Sequence, residues 1–158
     1  MTKWQNIWLT ALRLSLGWVY LHAGWAKITD PAWSAAGYLN NAKTFPNLFS
    51  WFANDANLGW VNFINMWGLT LIGVALILGV AVKFASYMGA LLTLLYYFPS
   101  LDFPKAGANG YIIDEHIIYV LGFAVLAVFT AGRIWGLDGW LEKKGYFKKW
   151  PWLSQVWG

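Results

Sequence analysis

Cysteine is absent from all 158 residues. That excludes disulfides, cysteine-ligated iron–sulfur clusters, thioether haem attachment and thiol catalysis by this chain. Charge is scarce as well: 11% of residues are Asp, Glu, Lys or Arg, against about 25% in a typical soluble domain. With 59% hydrophobic residues, a water-soluble fold would lack the polar side chains to cover its surface. There are only two histidines, His22 and His116. No phosphate-binding glycine loop, serine-hydrolase elbow or HExxH helix occurs. No internal repeat and no low-complexity tract is evident.

What the chain does have is aromatic and apolar. Aromatics make up 20% of it, with 13 tryptophans. Tryptophan and tyrosine gather at the headgroup region because the ring is apolar and its N–H or O–H seeks water. A spanning helix needs roughly 20 mostly apolar residues to cross a hydrocarbon core of about 30 Å. Four segments are predicted to do so, at about 6–25, 59–82, 84–101 and 111–132. Lipid offers the backbone no hydrogen-bond partners, so helices are expected. The predicted fold is all-α: a single domain over 1–158, an integral membrane four-helix transmembrane bundle. A long outer loop of short interfacial helices and a basic amphipathic C-terminal tail complete it. The first segment is too long, and too clearly interrupted by Arg13, for a cleavable signal peptide.

Lysine and arginine set the predicted orientation. Lys3, Lys83, Arg133, Lys143, Lys144, Lys148 and Lys149 fall on one side; Lys27, Lys43 and Lys105 fall on the other. The positive-inside rule places both termini in the cytoplasm. The net charge of +4 therefore reports topology, and no nucleic-acid partner is expected. Asp30-Pro31 reads as an N-cap with proline at the first helical position, so a short lid helix should begin there. Trp33, Tyr38, Phe49 and Phe52 would anchor the lid. Asp138 should cap a short helix bearing Trp140, Leu141, Lys143 and Lys144. Rings beside basic residues suit an anionic inner leaflet.

Ionisable groups at membrane depth are costly and mark candidate functional sites. At about 100° per residue, Arg13, Gly17, Tyr20, Gly24 and Lys27 share one face of the first helix. His22 lies roughly opposite Arg13. Glu115, Tyr119, Gly122 and Arg133 share a face of the last span, and His116 sits one residue away. His22, Lys27, Asp114, Glu115 and His116 all fall near the outer end, beneath the aromatic loop. The bland readings are structural: an ion pair for Arg13, snorkelling for Lys27, helix capping by Asp114 and Glu115. Quinone reduction takes two electrons and two protons and needs tunable proton donors, which His and Glu provide. A b-type haem could use His22 and His116 as a ligand pair, but no spacing motif supports it. A metal on His22, His116 and Glu115 is compatible by ligand type alone.

Three stretches carry a resemblance. They are Arg13-Leu14-Ser15-Leu16-Gly17-Trp18 with His22-Ala23-Gly24-Trp25-Ala26-Lys27 and Asp30-Pro31; Asp114-Glu115-His116-Ile117; and Ala131-Gly132-Arg133-Ile134-Trp135-Gly136-Leu137-Asp138-Gly139-Trp140-Leu141. In order and spacing the chain resembles the DoxX/DoxD family of small four-span membrane proteins. The resemblance implies a prokaryotic cytoplasmic membrane. It also implies kinship with the membrane subunit of thiosulfate:quinone oxidoreductase, which couples thiosulfate oxidation to tetrathionate with quinone reduction and has a second small subunit. From the chemistry, His22, Glu115 and His116 are the expected catalytic groups, with Arg13, Tyr20, Lys27, Asp114 and Tyr119 around the quinone. Expected partners are the lipid bilayer, quinone, and a second small subunit or another copy of this chain. The alternative is a noncatalytic membrane scaffold or accessory protein of a redox complex, in which the same polar residues hold the fold. A third reading, a solute transporter, lacks the inverted repeat such folds use.

Overall fold

A computed structural model of the chain describes residues 1–106, 110–146 and 157. Lys148 and Lys149 of the predicted basic tail lie outside the described residues. Four long helices dominate: α1 Lys3–Ile28, α4 Asp55–Leu78, α5 Val82–Ser100 and α6 Glu115–Val128. Between α1 and α4 lie two short helices, α2 Ala36–Asn40 and α3 Pro46–Ala53. After α6 come a 3-10 turn, Ala131–Arg133, and the last described helix, α7 Leu137–Lys143.

Capping explains where the helices start. Thr2 and Gln5 form a reciprocal box: Thr2 Oγ1 accepts from the Gln5 amide, and the Gln5 side chain accepts from the Thr2 amide at 2.7 Å. This pulls α1 three residues earlier than the apolar run suggested. Asn54 Oδ1 accepts from the Asn57 amide at 3.0 Å and starts α4 ahead of the uncharged stretch. Asp114 does the same for α6, so the residues from Tyr111 to Ile113 precede the helix rather than open it. A left-handed Thr130 (φ 44°) follows the end of α6 and keeps it from reaching Gly132.

Two expectations are corrected. Asp30 does not cap a helix; its carboxylate accepts from the Ala32 amide in a turn, and the first lid helix starts at Ala36. The predicted all-α fold also gains a small antiparallel sheet after α5, ordered β1 Leu101–Asp102, β2 Lys105–Ala106, β3 Gly110–Tyr111, which takes up the residues where the fourth span was expected to begin. Strands of two residues are too short to show a period in sequence.

Each long helix runs antiparallel to its neighbour. α1 packs on α4 so closely that a Cβ on Gly73 would lie 2.3 Å from the Leu21 amide nitrogen, and one on Gly24 would lie 2.6 Å from that of Thr70. Small residues let backbones approach where lipid removes the hydrophobic drive for helix association. α5 packs on α6, with Phe123 over Gly89. Tyr20 meets the Phe123 ring edge-to-face, centroids 5.0 Å apart. Leu16, Leu69, Leu76, Val82, Phe123 and Leu126 fill the bundle core. A second cluster, Ala35, Leu39, Ala42 and Phe49 with Trp33, Phe52 and Phe98, seats the lid on the start of α4 and the end of α5, the end of the bundle labelled outer after the predicted orientation. Thr44 Oγ1 donates to Leu101 O at 2.6 Å and the Lys43 amide donates to Pro99 O at 3.0 Å, tying lid to bundle.

Among the described helices, Asp55–Leu78 alone is long and apolar enough to cross a membrane by length and composition; Glu115–Val128 is apolar but shorter. In α1, Gln5, Asn6, Arg13 and His22 lower the mean hydropathy. In α5, Ser86, Thr93 and Tyr87, Tyr96 and Tyr97 do so.

Candidate functional site: a lidded cavity at the outer end

The polar residues of the bundle separate into two groups. At the inner end, Arg13 is 1% exposed and donates from Nη2 to Trp135 O at 3.3 Å. Its Nε and Nη1 meet no hydrogen-bond acceptor among the described residues. Its charge is balanced at longer range by Asp138, which is wholly buried. Gly79, with φ +68°, brings the end of α4 against the guanidinium, where a Cβ would collide with Nη1. Asp138 corrects the sequence reading: it does not cap its own helix, whose N-cap is Gly136. Its two oxygens accept from the Ala81 and Val82 amides at 2.9 and 3.1 Å, capping α5. Burial pushes the Asp138 carboxyl above the usual range; the two amides and the Arg13 and Arg133 charges pull it back in part. Arg133 reaches Glu142 at 3.2 Å.

At the outer end the polar groups surround empty space. A cavity of about 270 Å³ lies under the lid, between α4, α5 and the last turn of α1. Lys27, Trp33, Tyr38, Trp60, Asn65 and Tyr96 are among its lining residues. Lys27 Nζ sits 5.4 Å from the Trp33 ring centroid and 5.9 Å from that of Tyr96, and bonds Ala23 O at 3.4 Å. It pairs with no carboxylate among the described residues. Such a cation is held by ring quadrupoles and remains free to meet a ligand's negative charge. The Tyr96 hydroxyl donates to Asn65 Oδ1, and the Tyr38 hydroxyl donates to Tyr96 O. Burial raises the Tyr38 hydroxyl above its ordinary value, keeping it protonated at neutral pH.

Behind Tyr96 stands a histidine–carboxylate pair. The His116 ring stacks on Tyr96, centroids 6.4 Å apart, and lies 6.5 Å from Tyr97. Asp114 Oδ1 caps α6 by accepting from the His116 amide at 3.0 Å; its Oδ2 lies 2.7 Å from His116 Nδ1. One carboxylate thus caps the helix and orients the imidazole. With Nδ1–H donated to Asp114, Nε2 is the nitrogen available for proton exchange.

Of the predicted set, the structure places Lys27 in the cavity lining and Asp114 and His116 behind Tyr96, outside that lining, and leaves the others elsewhere. His22 is exposed on the outward face of α1, 6.4 Å from Trp18. It does not face His116, so the two do not form a haem ligand pair. Glu115 is exposed, outside the cavity wall. Tyr20 is bound between helices: its hydroxyl pairs with Thr93 Oγ1 and lies 3.5 Å from Gly89 O. Tyr119 packs against the bundle core, and Arg13 belongs to the inner end. Among the described residues no three His, Asp or Glu converge as a metal site. Sequence reasoning missed Tyr96 and Asn65. Their signal was available: an amide and a tyrosine pair inside uncharged spans, where unpaired hydrogen-bonding groups are costly.

Comparison with known proteins gives one positive result. The family model DoxX matches residues 8–99, more than half of the chain. The match covers α1 to α5, including Lys27, Asn65 and Tyr96. No curated protein and no solved structure matches the chain.

Proposed function

We propose, from the premise that this chain belongs to the DoxX family of membrane-associated proteins, that it is the membrane subunit of a quinone-reducing oxidoreductase. The observation that carries this reading is the lidded aromatic cavity lined by Lys27 and Tyr96, with the His116–Asp114 pair stacked behind Tyr96. At about 270 Å³ the cavity is near the small end of ligand pockets, roughly 300–1,000 Å³, a size suited to one substituted ring. Aromatic walls and a few convergent polar groups fit a quinone head: Asn65, its Oδ1 held by the Tyr96 hydroxyl, can donate from Nδ2 to a ring carbonyl, and Lys27 can balance charge gained on reduction.

A bound quinone would supply a two-electron, two-proton acceptor. This chain's residues bind and orient it, exclude water beneath the lid, and deliver protons. His116 exchanges a proton at Nε2, with Asp114 fixing the orientation of the imidazole through Nδ1. Thiosulfate is the donor we assign to the reaction. Two thiosulfates join through a new S–S bond into tetrathionate and release the two electrons that the quinone accepts. Without cysteine, no thiosulfate sulfur is held on this chain as a covalent intermediate.

The same proposal makes the molecule a four-span bundle with cytoplasmic termini. Large apolar side chains on its outer surface support this, among them Val128 at 77%, Leu71 at 62% and Leu121 at 60% exposure. Single cysteines test the orientation cleanly because none is native. Ser34→Cys should react with an impermeant maleimide in intact cells, and Lys143→Cys only after lysis.

Quinone binding and thiosulfate-dependent reduction by the purified chain in nanodiscs test the activity. Saturable binding that weakens in Tyr96→Phe supports the site. A well-folded protein that binds no quinone sinks the reading and leaves a scaffold.

A further inference from the structure

The cavity does not end where its polar residues end. A second hollow of about 450 Å³ runs down the outward-facing seam between α4 and α5. Every residue lining it is apolar or glycine. Ile64, Leu92 and Leu95 line both hollows, so the end of the groove adjoins the space beside Lys27 and Tyr96. Its floor is made of buried Ile72, Ala85 and Leu92; its walls include Leu71, Phe84 and Leu91, which are about half exposed or more. From Phe84 to Leu95 along α5 it extends about 16 Å at the rise of an α-helix.

The packing explains why the groove exists. α4 packs mainly on α1, and α5 mainly on α6. Gly68, Ala75, Ala81 and Ala85 place small side chains on the seam. Elsewhere in this bundle small residues bring helices into contact, as Gly24 and Gly73 do for α1 and α4. Along the α4–α5 seam they leave a trough instead. At Gly68 a Cβ would touch only Leu92 Cδ2, at 3.8 Å, so open space lies above that glycine.

We propose that this groove holds the hydrocarbon tail of the same molecule whose ring enters the cavity, and that the ligand arrives sideways from the bilayer between α4 and α5. The inference rests on the quinone reading for the head and adds the ligand class: a ring carrying one long aliphatic chain. An all-apolar trough adjoining an aromatic chamber that carries one cation matches an amphiphile with one chain, in one orientation. The lid then covers the head, and the trough guides the tail to lie along α5.

A quinone analogue with a decyl tail ending in a diazirine tests the placement, using the full chain in nanodiscs. Saturable labelling of Phe84, Met88 or Leu91, competed by unlabelled tailed quinone, is expected. Gly68→Leu fills the trough without meeting backbone. It should weaken the tailed analogue by about tenfold and leave a tail-less ring within about twofold. Quinone binding with no label in the groove, or equal effects of Gly68→Leu on both analogues, overturns the tail assignment and leaves the quinone reading standing. Labelling of the same residues by a carboxylate-headed diazirine lipid, in folded protein that binds no quinone, overturns both. Should Gly68→Leu fail to fold, labelling of the wild type decides alone.

Discussion

Arg13 and Lys27 occupy the same face of α1, four helical turns apart, yet the two ends of the bundle put them to different uses. Arg13 is sealed by the close approach of Gly79 and Gly136, bonded to Trp135 O and balanced by Asp138. Lys27 lies against two aromatic rings at the edge of a cavity, with no carboxylate beside it among the described residues. The difference is in what closes each end. At the inner end a carboxylate from α7 caps α5 and fills the space. At the outer end a lid packs through its own apolar cluster and leaves the space open. A charge in a membrane protein therefore indicates function when its surroundings leave it room for a ligand.

The comparison breaks most sharply at Asp138. Asp138→Ala removes the long-range balance of the buried Arg13 charge, and a buried polar group left unsatisfied costs about 1–3 kcal/mol, more for a charged one. Asp138→Ala also strips the Ala81 and Val82 amides of their acceptors. It should lower thermal stability in detergent by that amount, while substitutions at Lys27 or His116 change it by less than about 1 kcal/mol. A pH series sharpens this. The folded state holds the Asp138 proton more tightly than the unfolded chain, since burial raises its pKa. Its contribution to stability is fully present below the ordinary carboxylate range and is lost as pH rises through the raised value. Subtracting the pH–stability curve of Asp138→Asn from that of the wild type should isolate this fall.

At the outer end the expected effects are on turnover and affinity. His116→Ala should reduce quinone reduction about a hundredfold, the lower range for losing a general acid–base group, with the melting curve unchanged. Asp114→Asn makes a finer test. The amide can still cap α6 through its oxygen, but it no longer offers the carboxylate oxygen that orients His116 Nδ1. Turnover should fall while helicity persists. Lys27→Met keeps the stem and removes the charge, and should weaken quinone binding by about tenfold. Loss of folding in any of these variants would erase the distinction between the two ends.

The long helices were legible because uncharged runs of spanning length leave little else for the backbone to do. Their ends were less so. Thr2 with Gln5 and Asn54 are capping groups outside the apolar runs, and they moved two starts outward. Asp138 was read as a cap for the helix beside it; it caps one whose amides lie 57 residues away, which no local pattern encodes. The site was legible in part for the same reason. Helical periodicity put Lys27 on the inward face, and the aromatic loop announced a lid. Tyr96 and Asn65 were not legible in this way, because neither residue is charged.

His22 gives the smallest expected effect and the most direct test of that lesson. By composition it is the twin of His116, at the same level of the bundle. By position it points away from the cavity, exposed beside Trp18. A histidine contributes proton exchange only where a partner fixes its tautomer and a substrate lies within hydrogen-bond reach; His116 has the partner in Asp114 and the cavity beyond Tyr96, and His22 has neither among the described residues. His22→Ala should change quinone turnover by less than about twofold, against the hundredfold loss at His116. A large loss of turnover at His22 in folded protein would move the chemistry to the outer face of α1 and make the lidded cavity a bystander.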